Sequence, residues 1–292
     1  MSSRRLTAVL FLLLCLTRAS LMCGQEVDAP YDTFYKKEVI RQNEPMPYPF
    51  VREEDVLWSK TIWRTISLKE KANQFFYFPL EYDGVHGRKN LAYVIWDAIL
   101  QNEIELYEDD EMKIPKDAEA LVESFTRSDT MTLEIYDADA EEEYEYRTVL
   151  VPREFNTEDI WQLRIKESWF IDSKLGDQFV RITGLCVVQE QFKWVGADRE
   201  YRGSVALFWI PMQSMLVRRL LARHEAYYED NLAQLPTWDN IFNTRSFSSF
   251  ITRISNVQNR TIDSYLTGTD AILESERIEN ELLNISLDMW EY

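Results

Sequence analysis

The sequence predicts an α+β fold: a mixed or antiparallel sheet packed with helices, followed by a helical C-terminal extension. Three patterns lead there. Residues 88–101 carry apolar side chains at helical spacing. Residues 130–150 and 161–188 alternate apolar with polar. After residue 237 the pattern returns to short helices joined by polar turns. No Gly- or Ser-rich linker separates these parts, so one body is expected rather than beads on a string.

Residues 1–24 stand outside that body. Arg4 and Arg5 precede an eleven-residue apolar core, Leu6–Leu16, and small and polar residues follow. This is the pattern of a cleaved secretory signal, too short to span a membrane comfortably. Its removal takes away Arg4, Arg5 and Arg18 and no acid, so the remainder is more acidic still. Residues 25–48 are polar, aperiodic and proline-bearing. Each proline pushes the residue before it toward extended backbone, so an extended N-terminal arm is expected.

An α+β core is expected over 49–236. It opens with Val56, Trp58, Ile62, Trp63 and Ile66, which share one broad helical face. Glu53, Glu54 and Asp55 lie where a helix N-terminus favours negative charge, and Lys69 and Lys71 where its C-terminus favours positive charge. A first helix is read there, then a short aromatic strand, Phe75–Pro79. A second helix follows Gly87-Arg88-Lys89. Its stripe Leu91, Val94, Ile95, Ala98 and Ile99 is a core face. A neighbouring stripe, Tyr93, Trp96 and Leu100, is a candidate for contact with another molecule.

Strands come next. Met131, Leu133 and Ile135 alternate with polar residues, as do Tyr144, Tyr146, Thr148 and Leu150. The acidic loop 137–143 between them lacks the glycine and the distal glutamate of a calcium loop, so a solvated hairpin loop is the reading. Trp161, Leu163, Ile165, Trp169 and Ile171 share a strand face on which Glu167 intrudes, and Phe179–Val188 returns as the partner strand. A carboxylate on an apolar face is either a functional acid or half of a structural pair, here with Arg164 or Arg181. Ser204–Ile210 is apolar on both faces, as in a central strand.

Pro211 is read as opening a helix with Met212, Met215, Leu216 and Leu220 buried and Arg218, Arg219 and Arg223 wet. Those arginines are the densest basic cluster in the chain; Arg218 and Arg219 are candidates to meet a carboxylate-rich partner. The 237–292 extension ends in an acidic helix over Asp270–Ile285, with Ala271, Ile278, Leu282 and Ile285 on one side.

Composition narrows the chemistry. Among 292 residues, 50 are acidic and 32 basic, a formal charge of −18 that repels nucleic-acid phosphate. Cys15 and Cys23 fall in the signal, which leaves Cys186, in an apolar run, as a small buried hydrophobe rather than part of a disulfide framework. His86 and His224 stand in no metal-ligand spacing. There is no nucleophile elbow and no phosphate-cradling loop, so no catalytic residue, cofactor or metal ligand is assigned. The competing class is an acidic enzyme or ligand-binding protein with a carboxylate cleft around Glu167.

Several co-linear segments carry a resemblance. They are Pro49-Phe-Val-Arg-Glu-Glu-Asp-Val-Leu-Trp-Ser-Lys-Thr-Ile-Trp-Arg64, Phe78-Pro-Leu80, Gly87-Arg-Lys89, Ile165-Lys-Glu-Ser-Trp-Phe-Ile-Asp172 and Val180-Arg-Ile-Thr-Gly-Leu185. Further on are Phe208-Trp-Ile-Pro211, Phe242–Ile251, Asn259–Tyr265 and Ala271–Ile278. From about Pro47 to Tyr292 the chain resembles the GldN/PorN family, the periplasmic ring component of the Bacteroidota type IX secretion and gliding machinery. The resemblance implies a non-enzymatic subunit of a ring beneath the outer membrane. Its implied partners are a GldK/PorK-like lipoprotein, a GldM/PorM-like trans-periplasmic shaft protein and further copies of itself.

Overall fold

The computed structural model of the chain describes residues 44–85, 87–126, 129–136, 144–151, 155–195, 198–227 and 236–289. The expected signal, most of the arm, Cys15, Cys23, His86 and the acidic loop 137–143 lie outside the described residues.

The opening helix is a correction. Glu53–Asp55 makes a single 3₁₀ turn, and Val56–Ser67 is a twelve-residue strand, β1. The misreading has a physical cause. Trp58, Lys60, Ile62, Arg64 and Ile66 form one strand face, and Lys60 and Arg64 interrupt its apolar period of two. Trp63, from the other face, then completes a helical stripe. Asp55 serves no helix dipole; its carboxylate takes Lys174 Nζ at 2.7 Å.

The expected aromatic strand is also replaced. A 3₁₀ turn at Lys71–Asn73 leads into a one-turn helix, α1 (Gln74–Tyr77). Asn73 pins it: its amide donates to the carbonyls of Ser67 and Ser248, and its carbonyl accepts from Ser248 N, each at 2.9 Å. With the backbone turned there, Phe76 is buried against Trp238, ring centroids 5.5 Å apart. The next turn needs Gly84, whose φ is +70° and where a Cβ would meet Arg88 O at 2.1 Å.

The second helix, α2 (Leu91–Leu100), forms as expected. Asn90 caps it, accepting from Tyr93 N at 2.9 Å while its amide donates to Tyr77 O, Pro79 O and Thr157 Oγ1. There follow β2 (Leu106–Tyr107), β3 (Pro115–Lys116), α3 (Ala118–Thr126), β4 (Asp129–Tyr136) and β5 (Tyr144–Val151). Then come β6 (Ile160–Asp172), β7 (Asp177–Val195), β8 (Asp198–Pro211), α4 (Met215–Arg223), α5 (Trp238–Thr244), β9 (Phe250–Ile254) and α6 (Thr269–Asp288).

Among the described residues, seven strands form one antiparallel sheet in the order β3-β2-β8-β7-β6-β1-β9, and β4–β5 pair as a separate hairpin. The registers set what each face carries. Ile251, Arg64, Ile165, Leu185 and Ile210 lie in one row across five strands, with Ile66, Leu163, Val187 and Phe208 in the next. Apart from Arg64 and Ile251, these residues share the main core with Val94, Ile95, Val217, Leu221 and Trp238, so the helices cover this face.

The other face carries Phe250, Thr65, Arg164, Cys186, Trp209 and Tyr107 in one row. The loop between β2 and β3 crosses it. Lys166 Nζ donates to Asp110 O at 2.7 Å, Arg253 pairs with Asp110, and Met112 sits over Gly184 where a Cβ would stand 2.4 Å from Met112 Cε. Here sequence and structure agree on Cys186: it is buried, and burial pushes its thiol up to about 12.

Residues 237–292 are not purely helical. Trp238, Ile241 and Phe242 of α5 belong to the main core, and β9 pairs with β1. The expected terminal helix is present as α6. It buries Ile278 and Leu282 against Ile62, Ile251 and Ile262.

Candidate interaction surfaces

Glu167 is the side chain the sequence marked, and it is wholly buried. Its partners are not the Arg164 or Arg181 expected. One carboxylate oxygen accepts from Arg245 Nη1. The other accepts from Trp169 Nε1 at 2.9 Å and lies 3.4 Å from Arg64 Nε. Arg64 reaches on to Ser249 Oγ at 3.1 Å and to Glu279 of α6 at 2.8 Å. The register explains it: Ile62 lies opposite Glu167, so Arg64, two residues on, shares its face beneath α6.

Arg245 is the C-cap of α5 with φ +55°, a left-handed conformation that costs a non-glycine residue about 1 kcal/mol. Its ion pair offsets that cost. Two carboxylates and two guanidinium groups thus form a chain, Arg245–Glu167–Arg64–Glu279, joining α5, β6, β1 and α6. A carboxylate with its oxygens engaged and no exposed surface lines no cleft. The reading of a substrate site around Glu167 loses its geometry.

The expected contact stripe on α2 divides. Trp96 is buried and stacks on Phe155 with ring centroids 4.0 Å apart. Tyr93 is buried, donates to Leu80 O at 3.1 Å and meets Tyr82 edge-on. The chain's own 80–82 and 155 segments cover both rings, so neither is open to another molecule. Leu100, last in the helix, remains 51% exposed.

The arginine cluster divides in the same way. Pro211 ends β8 rather than opening a helix, and α4 starts only at Met215 behind Ser214. The helix is therefore turned from the expected setting: Val217, Arg218 and Leu221 are buried, while Met215 and Leu216 are exposed. Arg218 Nε pairs with Asp239 at 3.2 Å, its Nη1 donates to Met46 O at 2.7 Å, and its guanidinium lies 4.2 Å from the Tyr48 ring. Arg181 holds the same strap through Pro49 O at 2.6 Å. Arg218 thus fastens the end of the N-terminal arm, whereas Arg219 is exposed, 3.9 Å from Glu44.

Among the described residues, two surfaces with exposed apolar side chains bear on interaction. One is the outer side of α6, where Ile272, Leu273, Leu283 and Leu287 are each more than half exposed, opposite the buried Ile278 and Leu282. The other is a groove of about 960 Å³ between the end of α2, the β2–β3 edge and α3, closed on one side by Leu216. Sequence reasoning found Leu100 but missed Leu216, because it placed Leu216 on the buried side of its helix. Among the described residues, no group of three or more His, Cys, Asp or Glu side chains could hold a metal ion, and no helix is long and apolar enough to cross a membrane.

No curated protein matches the chain. Residues 51–291 match the family described as gliding motility associated protein GldN, a span that runs from the turn before β1 to beyond the end of α6. The chain therefore belongs to the GldN family.

Proposed function

We propose that the chain is a non-enzymatic structural subunit of a periplasmic ring in the type IX secretion and gliding machinery. In this reading a signal peptide directs its export, and a GldK/PorK-like lipoprotein holds it at the inner face of the outer membrane. It meets a GldM/PorM-like shaft protein on another side. Further copies of itself complete the ring. The observation that carries the reading is the family match, which takes in nearly the whole fold rather than one module.

The geometry supports it in kind. A ring closes only through head-to-tail contacts, so each subunit must offer two different surfaces to its neighbours and others to its partners. The outer side of α6, a helix that lies over β1 and β9, offers an apolar surface to a neighbouring copy, and the acidic-rimmed groove beside α2, next to β3, offers a different surface to a different partner. Glu167, the carboxylate that an enzyme would have used, is buried inside the network that fastens α6.

The test is extraction of an affinity-tagged chain from envelopes in mild detergent. A ring subunit brings a lipoprotein with it in a stable complex. Recovery of the chain alone, from the soluble fraction, would overturn the proposal.

A further inference from the structure

The groove beside α2 has a floor and a rim of different character. Ile104 and Leu106 form a buried apolar floor, and Leu100 and Leu216 stand exposed at its sides, 51% and 56%. The rim carries five carboxylates, Glu103, Glu105, Asp117, Glu119 and Glu123, all on exposed residues. Among the described residues lining it, Lys116 alone is basic, and its Nζ donates to Leu207 O at 2.8 Å.

We infer that this groove is a docking site for a basic amphipathic helix of another protein, with aliphatic side chains seated between Leu100 and Leu216 and Lys or Arg side chains facing the rim. Charge complementarity selects the basic occupant. The edge strand selects a helix over an added strand. β3 is only two residues long and one of them is Pro115, which has no N–H to offer an incoming strand. A second copy is disfavoured by its own charge. The chain stands at −18, and its Arg64, Arg88, Arg218, Arg245 and Arg253 are all held in internal ion pairs. The inference rests on the groove alone and stands apart from the secretion-machinery reading.

The test uses the full chain and a fluorescein-labelled leucine–lysine peptide with leucine at i, i+3, i+4 and i+7, read by anisotropy. A scrambled peptide of the same composition is the control. The amphipathic peptide is expected to bind more tightly than the scrambled one. Both the double variant Leu100→Glu/Leu216→Glu and the double variant Glu119→Lys/Glu123→Lys should weaken it by about tenfold or more. Glu53→Lys/Glu54→Lys, an equal charge reversal on exposed residues outside the groove, should leave binding within about twofold. Equal binding of the scrambled peptide, or equal weakening by the Glu53/Glu54 reversal, would mean diffuse attraction to an acidic protein and would overturn the inference. So would a homo-oligomer that Leu216→Glu dissociates in sedimentation velocity, since the occupant would then be a second copy.

Discussion

Glu167 is wholly buried between sheet and helix, beside Arg64 and Arg245. A buried ion network is a weak source of net stability, but it is costly to break on one side. Glu167→Gln leaves Arg245 without its carboxylate and Arg64 with Glu279 alone, and is expected to lower stability by about 3 kcal/mol in urea unfolding. Glu279→Gln removes the half-exposed arm of the same network and should cost about 1 kcal/mol or less. If the two cost the same, the network is not organised around Glu167. Cys186 supplies a second test. Its thiol is pushed up to about 12 by burial, above the ordinary 9.0, so the folded chain keeps its proton across the neutral and mildly alkaline range. Its stabilising share is full below pH 9.0 and is lost as pH rises toward about 12. Ellman's reagent at pH 8 should leave Cys186 untouched in the native protein and label it only on unfolding.

At the scale of elements, the C-terminal helix is held by two unlike devices. Ile278 and Leu282 pack on Ile62, Ile251 and Ile262, and Glu279 reaches Arg64 beside them. Leu282→Ala removes a fully buried side chain and should cost about 2–5 kcal/mol, with faster amide exchange in α6 before the rest of the sheet. Uniform acceleration across the molecule would show that α6 does not open separately. The same elements show what could be read from sequence. α2 and the alternating strands β4 and β5 follow directly from their periods of 3.6 and 2. The acidic terminal helix was legible too. β1 was not, because Lys60 and Arg64 break its alternation, and the glutamates that answer Arg64 are over a hundred residues downstream. Glu167 was the visible half of that pair: the intruding acid on β6 and the intruding base on β1 are one interaction, seen from sequence as two defects. α1 was hidden for a similar reason, since its turn is imposed by Asn73 bonding to Ser248 far along the chain. The candidate surface was half legible: Leu100 emerged, but Tyr93 and Trp96 are covered by Phe155 and Tyr82, which no local pattern ties to α2.

At the scale of the whole molecule, an open seven-stranded antiparallel sheet carries exposed apolar side chains near its two margins. Leu100 and Leu216 mark one margin and the outer side of α6 the other. Their side chains contribute little to the isolated fold, so Leu100→Glu/Leu216→Glu should unfold within about 0.5 kcal/mol of the parent. A larger loss would make the groove part of the core. The central claim is that the chain acts by assembling. Single-particle imaging of the tagged chain, extracted from envelopes in mild detergent, tests it most directly. The account predicts large ring-shaped particles containing many copies of the chain with a lipoprotein. A population of monomers or small oligomers that turn over a small metabolite would contradict it.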